Sequence, residues 1–219
     1  MPSPCCNRIL IVDDHPMMRE GLRTLISRER DLTVCGEAET AGQALDAVAN
    51  LKPDLVLVDI TLPGRNGIEL IKDICALQHA LLILIISIHD ESLYAERVLH
   101  AGARGYIMKQ ESGPAIIQAI RQVLVGRIYL SDKMSARILE NVAGKRAKAS
   151  PIERLSDREL EVFHLIGRGK STVQIAEELH LSTKTIESHR ANVKEKLNLR
   201  TMPELISFAS RWVESQDAR

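Results

Sequence analysis

The sequence predicts an α/β fold, a five-stranded parallel sheet doubly wound by helices, followed by a small all-α domain of four helices containing a helix-turn-helix. Three observations carry this. Over the first 128 residues, short apolar runs alternate five times with segments of helical periodicity, and such alternation builds a parallel sheet covered on both faces. The runs Ile9-Leu10-Ile11-Val12 and Leu55-Val56-Leu57-Val58 are apolar throughout, as in strands buried on both sides. From residue 153 onward the apolar period is helical, and Ser/Thr-x-x-Glu/Gln signals open successive segments.

The elements follow in order. Arg8 to Val12 is the first strand. Pro16 to Ser27 is a helix, with Met17, Met18, Leu22, Leu25 and Ile26 at helical spacing. Thr33 to Glu37 is the second strand, and Thr40 caps a helix carrying Ala44, Leu45 and Val48. Pro53 breaks the chain before the third strand, Asp54 to Val58; Ile68, Leu70, Ile71 and Ile74 mark the next helix. Leu82 to Ser87 is the fourth strand. A helix from about Ser92 is stopped by Gly102, and Gly105 to Met108 is the fifth strand. The last helix of this half begins near Ser112, with Pro114 in its first turn, and ends at Gly126. Ser131 to Val142 has the pattern of a short amphipathic helix, whereas Ala143 to Pro151 has no large apolar residue and reads as a flexible linker. Beyond it, Ser156-Asp157-Arg158-Glu159, Ser171-Thr172-Val173-Gln174 and Thr201-Met202-Pro203-Glu204 read as three capping boxes, and Ser182 or Thr183 caps a longer helix running to about Leu197. The expected divisions are a disordered N-terminus 1–6, a first domain 7–128, a linker 129–152, a second domain 153–214 and a tail 215–219.

Bulk properties exclude several classes. Lys+Arg and Asp+Glu both number 29, so no global field draws the chain to nucleic acid or membrane, and such a site must be a local patch. The four cysteines lack disulfide-framework or zinc-ligand spacing; Cys35 and Cys75 sit in apolar patterns expected to be core, and Cys5-Cys6 in the terminus. The longest apolar run, Leu81 to Ile88, is too short to span a bilayer, and no signal peptide is legible; a reducing cytoplasm fits.

Chemistry gathers at the strand ends: Asp13 and Asp14, Asp59, Ser87 and Lys109. Clustered carboxylates repel unless a hard cation lies among them, and Mg2+ takes oxygen ligands. One carboxylate can then act as a nucleophile toward phosphorus, with a lysine opposite as a point charge for phosphoryl oxygens. Neither a G-x-G-x-x-G after the first strand nor a G-x-x-x-x-G-K-[ST] is present, so the usual nucleotide-binding loops are missing. His15 and His89 also follow strand ends, which leaves a transition-metal site as an alternative reading, with rimming the pocket the plainer role for His15.

Asp13-Asp14-His15-Pro16, Asp59 followed by Pro63-Gly64, Ser87-Ile88-His89-Asp90, Tyr106 and Lys109 resemble the receiver domain of bacterial two-component response regulators, a flavodoxin-like fold, over about residues 7 to 128. The resemblance implies that Asp59 is the phosphoacceptor, that Asp14 and Asp59 ligate Mg2+ with the Thr61 backbone carbonyl, and that Asp13 acts directly or through water. It further implies that Ser87 is a switch hydroxyl, Lys109 a phosphate-binding cation and Tyr106 an aromatic that turns inward. Many receivers place a cis proline after the lysine; here the residue is Gln110, which argues against a cis bond. Aspartate-nucleophile phosphatases share the strand-end Asp but usually need a second acid two residues on, where this chain has Thr61.

The second half is neutral as a whole, with eleven Lys/Arg and eleven Asp/Glu in 153–219, but 180–200 holds five bases against two acids. Phosphate contacts dominate DNA affinity, so DNA is expected there. Leu155-Ser156-x-Arg158-Glu159, Gly169-Lys170-Ser171, Ile175-Ala176, Leu181 to His189 and Lys196-Leu197-x-Leu199 resemble the LuxR-type helix-turn-helix over about 153 to 213. The resemblance implies phosphate contacts from Thr183, Lys184, Thr185, His189, Arg190 and Lys194, and base-edge positions at Glu187, Ser188 and Ala191. It also makes the last helix, with Trp212 near its end, a dimerisation helix. Together the two resemblances imply a NarL/FixJ-type regulator partnered by a sensor histidine kinase and promoter DNA.

Overall fold

The computed structural model describes residues 6–142 and 151–217. The expected disorder of residues 1–6 (apart from Cys6), the flexible linker 143–150 and the last two residues of the tail therefore lie outside the described residues. Asn7–Val12 (β1), Leu32–Ala38 (β2), Leu55–Val58 (β3), Leu82–Ser87 (β4) and Gly105–Met108 (β5) pair in parallel in the order β2-β1-β3-β4-β5. Strand order reverses between β1 and β3, so the carboxyl ends of those two strands flank the crevice where such sheets hold ligands. Their register is even: Ile9 pairs Leu55 and Val12 pairs Val58. A further bond, Asp59 N–H to Val12 C=O at 2.9 Å, carries the alignment one residue past the strand ends. It follows that Asp13 and Asp59 leave the sheet at the same level.

Helices Pro16–Ser27 (α1), Ala41–Leu51 (α2), Gly67–Leu77 (α3), Glu91–Ala101 (α4) and Gly113–Leu124 (α5) cover the sheet. Alternate residues of the apolar strands supply each face. Ile9, Ile11, Leu55, Leu57, Leu84 and Ile86 join Leu22 and Ile26 of α1 and Ile116, Ile120 and Val123 of α5 in one core. Thr40 caps α2, accepting from Gln43 N–H at 3.3 Å. Asp90 caps α4, which therefore starts one residue before the expected Ser92. Asn66 caps α3, accepting from Ile68 N–H at 2.8 Å. The first residue of α3 is glycine for a steric reason: a Cβ on Gly67 would stand 2.2 Å from the Asp59 carbonyl oxygen. No cis peptide occurs among the described residues, the 109–110 bond included. Cys35 and Cys75, expected in the core, are half-buried.

Past α5 the chain returns to the sheet. Tyr129 bridges β5 in parallel, accepting from Tyr106 N–H at 2.9 Å and donating to Arg104 C=O at 3.0 Å. Helix Asp132–Val142 (α6) follows with Met134 buried. The start of α6 is tied to α4: Ser131 N–H donates to the Glu91 carboxylate at 2.9 Å, and Arg137 donates to Ser92 C=O at 3.2 Å.

The chain divides into two compact units, Met1–Glu140 and Asn141–Arg219. In the second, a 3-10 turn, Pro151–Arg154, precedes Asp157–Gly167 (α7), Thr172–Glu178 (α8), Thr183–Lys196 (α9) and Met202–Asp217 (α10). One turn is too short to show a period, so the 3-10 element was not legible. Ser156 with Glu159 and Ser171 with Gln174 form reciprocal capping boxes. The third box differs: Thr201 Oγ1 accepts from Glu204 N–H at 3.3 Å, but the Glu204 carboxylate reaches back to Arg200 N–H at 2.7 Å instead of Thr201 N–H. Leu160, Phe163, Ile166, Ile175, Ile186, Val193, Leu205 and Ala209 form the core, and Phe163 packs against Phe208 and Trp212 at ring distances of 5.9 and 5.3 Å. No helix among the described residues is long and apolar enough to cross a membrane.

Candidate acidic pocket and nucleic-acid interface

The aligned ends of β1 and β3 put two carboxylates side by side below the surface: Asp13 is 0% exposed and Asp59 2%. Such a pair repels, and Lys109 answers it, with Nζ 2.7 Å from Asp13 Oδ2 and 2.7 Å from Asp59 Oδ2. The lysine is aimed there by its backbone, whose N–H donates to Ser87 C=O at 2.8 Å and so prolongs the β4–β5 pairing. Burial pushes Asp59 up to about 6; Lys109 opposes that rise, Asp13 reinforces it, and the Thr61 N–H bond to Asp59 Oδ1 at 3.3 Å opposes it weakly. Lys109 is itself raised: burial lowers it, but Asp59 and Asp13 outweigh burial.

Asp14 is half-buried beside them and carries His15, whose Nδ1 lies 2.7 Å from Asp14 Oδ1 and 3.3 Å from Asp13 Oδ1. Asp13, Asp14, His15 and Asp59 each offer a donor atom within 4.8 Å of the others. Three carboxylates converging beside one lysine suit a hard divalent ion with oxygen ligands. The imidazole of His15 is mostly exposed, at the rim. His89 goes elsewhere, so the two histidines do not converge as an imidazole pair: its Nε2 is 2.9 Å from Thr61 Oγ1.

His89 is in fact the hub of the pocket's far wall. Its N–H donates to Ser87 Oγ at 3.2 Å, its carbonyl accepts from Tyr106 OH at 2.7 Å, and its ring lies 5.0 Å from Tyr94. Tyr106 is turned inward and fully buried; burial raises its hydroxyl far above the ordinary tyrosine value, which Ser87 only partly offsets. Sequence reasoning named His89 for another role, and it missed Arg19 altogether. Arg19 is buried, donates to the Asp13 carbonyl at 2.7 Å, and pairs with Glu37 at 3.3 Å and with Glu39. It thereby fixes the backbone that carries Asp13. Its only signal was a charge amid the apolar spacing of α1.

In the second unit, Ser182 opens α9, its Oγ accepting from Thr185 N–H at 3.1 Å and lying 2.8 Å from Thr185 Oγ1. Ile186 and Val193 anchor the inner face. Thr183, Lys184, Glu187, Ser188 and Ala191 are exposed, while Thr185, His189, Arg190 and Lys194 are half-buried. The Ser188 hydroxyl donates to Lys184 C=O at 3.1 Å. Burial, then nearby Arg158, holds His189 below the ordinary imidazole value. Lys196 bonds Glu159 at 2.6 Å, which leaves Lys184, Lys194 and Arg200 without ion-pair partners among the described residues. Burial would raise Glu159, but Lys196 and the Ser156 cap bring it below the usual carboxylate value. The DNA major groove admits an α-helix, and α9 turns this exposed polar stripe outward.

Comparison with known proteins agrees with both halves. Residues 9–121 match the family model for the response regulator receiver domain, and residues 153–209 that for bacterial regulatory proteins of the luxR family. The transcriptional regulatory protein LiaR of Bacillus subtilis (strain 168) is 34% identical over 206 residues, covering 93% of this chain and 97% of the relative. The oxygen regulatory protein NreC of Staphylococcus carnosus (strain TM300) is 34% identical over 208 residues, covering 92% and 96%. Among solved structures, a LuxR-family two-component response regulator from Aurantimonas sp. SI85-9A1 is 39% identical with a TM-score of 0.59, covering 63% of this chain and 99% of that one. RcsB from Salmonella enterica serovar Typhimurium, bound to promoter rprA in the presence of the phosphomimetic BeF3-, is 25% identical with a TM-score of 0.64, covering 94% and 98%. With a receiver sheet and its acidic crevice in one unit and a helix-turn-helix in the other, the chain belongs to the NarL/FixJ family of two-component response regulators, transcriptional regulators that join a receiver domain to a LuxR-type DNA-binding domain.

Proposed function

We propose that Asp59 accepts a phosphoryl group from a sensor histidine kinase and that this drives dimerisation and promoter binding. The observation that carries the reading is the single lysine held 2.7 Å from both Asp13 and Asp59 at the strand-order reversal. Mg2+ would be held by Asp13, Asp14 and Asp59 with the Thr61 carbonyl, and would neutralise charge on the transferring phosphoryl group. Asp59, with its acidity near 6, is largely the carboxylate at neutral pH and so is ready as a nucleophile. Its oxygen forms the new P–O bond as the P–N bond of the donor phosphohistidine breaks, and the leaving imidazole nitrogen takes a proton. Lys109 is positioned to follow the charge onto the phosphoryl oxygens, and the Ser87 hydroxyl to donate to another. Moving Ser87 would withdraw the acceptor from His89 N–H, while Tyr106 OH stays on the His89 carbonyl.

On DNA, Thr183, Lys184, Thr185, His189 and Lys194 would reach phosphates, and Glu187, Ser188 and Ala191 the base edges. Two α9 helices in a dimer would read two half-sites; the promoter-bound RcsB structure supports this by analogy. Such a protein works in the cytoplasm, as a stoichiometric switch and not a turnover enzyme. The test is labelling with radioactive acetyl phosphate and Mg2+. The parent chain is expected to take up one phosphoryl group and Asp59→Asn none; equal labelling of the two would sink the assignment, and steady turnover of a generic phosphomonoester would favour a phosphatase.

A further inference from the structure

We propose that Arg190 is a positioning residue that sets the pose of the recognition helix through its planar geometry, and not a phosphate contact. The side chain is half-buried midway along α9. One terminal nitrogen donates to Thr172 Oγ1, on the first residue of α8, and the other approaches Met202 Sδ at 3.9 Å, on the first residue of α10. One guanidinium therefore links α9 to the starting turns of both flanking helices. Its Nε is buried with no hydrogen-bond partner, so the planar group is desolvated on its inner edge. Each terminal nitrogen already directs one N–H inward, so turning the fork toward a phosphate competes with both contacts. Lys184 and Lys194 face no such choice, since neither has an ion-pair partner among the described residues.

The chemistry separates shape from charge. Arg190 makes no ion pair among the described residues, so its hold is directional: a flat fork spanning a hydroxyl and a thioether. A lysine offers the same charge at a single point and cannot span both. Thr172 is the other half of the link, since its hydroxyl and not its methyl receives the bond. The angle between α8 and α9 decides which base edges the exposed stripe can reach, so this link affects sequence choice more than general attraction to DNA.

This rests on the DNA-binding reading, and the experiment keeps the two apart. The full chain, with Mg2+ and beryllofluoride, is used to enrich a site from random 40-bp duplexes. Affinity for that site and for unenriched random duplex is then measured across a salt series for the parent, Arg190→Lys, Arg190→Gln and Thr172→Val, well below each variant's Tm. Arg190→Lys and Thr172→Val are each expected to cut the preference for the enriched site about tenfold while leaving the slope of log K against log[salt] at the parent value. The double variant Arg190→Lys/Thr172→Val is expected to lose no more than either alone. Removing a phosphate contact would instead lower that slope by about 1 and spare the preference. That pattern in Arg190→Gln, or full preference in Arg190→Lys, overturns the proposal alone. A parent chain that enriches no sequence overturns the DNA-binding reading and this proposal with it.

Discussion

At the scale of the residue, the pocket is a compromise between two buried carboxylates and one cation. Asp59 sits at about 6, well above a free aspartate, so the folded protein binds a proton that the unfolded chain has already released above about pH 4. Stability therefore falls as pH rises from about 4 to 6 and stays lowered above that. The size of the effect is roughly 3 kcal/mol at most. Asp59→Asn is expected to unfold at higher denaturant than the parent at pH 7.5, by about 1–3 kcal/mol, with the advantage fading toward pH 4; equal stability at both pH values would contradict it. Tyr106→Phe removes the donor to the His89 carbonyl and should cost about 1–3 kcal/mol, read as a lower denaturation midpoint. Asp13, Asp14, Asp59, Ser87 and Lys109 were legible in the sequence because each ends a recognisable strand or starts its loop. His89 and Arg19 were not. Their roles run through the N–H and carbonyl of His89 and through the Asp13 carbonyl, and side-chain pattern carries no record of backbone bonds.

At the scale of the element, apolar run length and capping chemistry placed the strands and helices closely. Pro16–Ser27, Leu82–Ser87 and Gly105–Met108 have the expected limits because Pro, Gly and polar strand ends punctuate them. The third capping box shows the limit of such reading. The motif names which residues pair, but the carboxylate of Glu204 chose the N–H of Arg200, one residue earlier. Ser171→Ala should cost about 1 kcal/mol, measured by chemical denaturation, because a cap lost from so short a helix has little else to replace it. Gly67→Ala is the more severe change. Its Cβ would meet Asp59 carbonyl oxygen and Ile60 Cα at 2.2 and 2.8 Å, both backbone atoms, so either α3 or the acceptor loop must move. The expected outcome is loss of phosphoryl labelling together with a lower Tm; a variant that labels normally would show that the loop yields freely.

At the scale of the whole molecule, two units with separate cores divide input from output, and the chain's zero net charge leaves attraction to DNA to a local patch. Of the five bases between 180 and 200, Lys196 is engaged by Glu159 and Arg190 by Thr172, which leaves three per protomer. A dimer using all six would show a slope of log K against log[salt] near about −5. A slope near zero, measured by titrating duplex DNA at several salt concentrations, would place the contact surface elsewhere. Fold class and topology were legible at this scale because strand–helix alternation admits few arrangements. What followed the fifth helix was less so: 129–130 read as plain linker, since a single bridging residue leaves no pattern.

That bridge has a further consequence for solubility. The outer strands of an open sheet display unsatisfied backbone groups, ready templates for pairing with another chain. Tyr129 occupies Arg104 C=O and Tyr106 N–H on the β5 side, so that margin is blocked at its start, whereas no strand pairs with the outer side of β2 among the described residues. A blocked start on one margin hinders the edge-to-edge pairing that two open margins would extend into a ribbon. A chain cut after Gly126 regains the second margin and is expected to scatter light on concentration, where the same chain cut after Val142 stays clear.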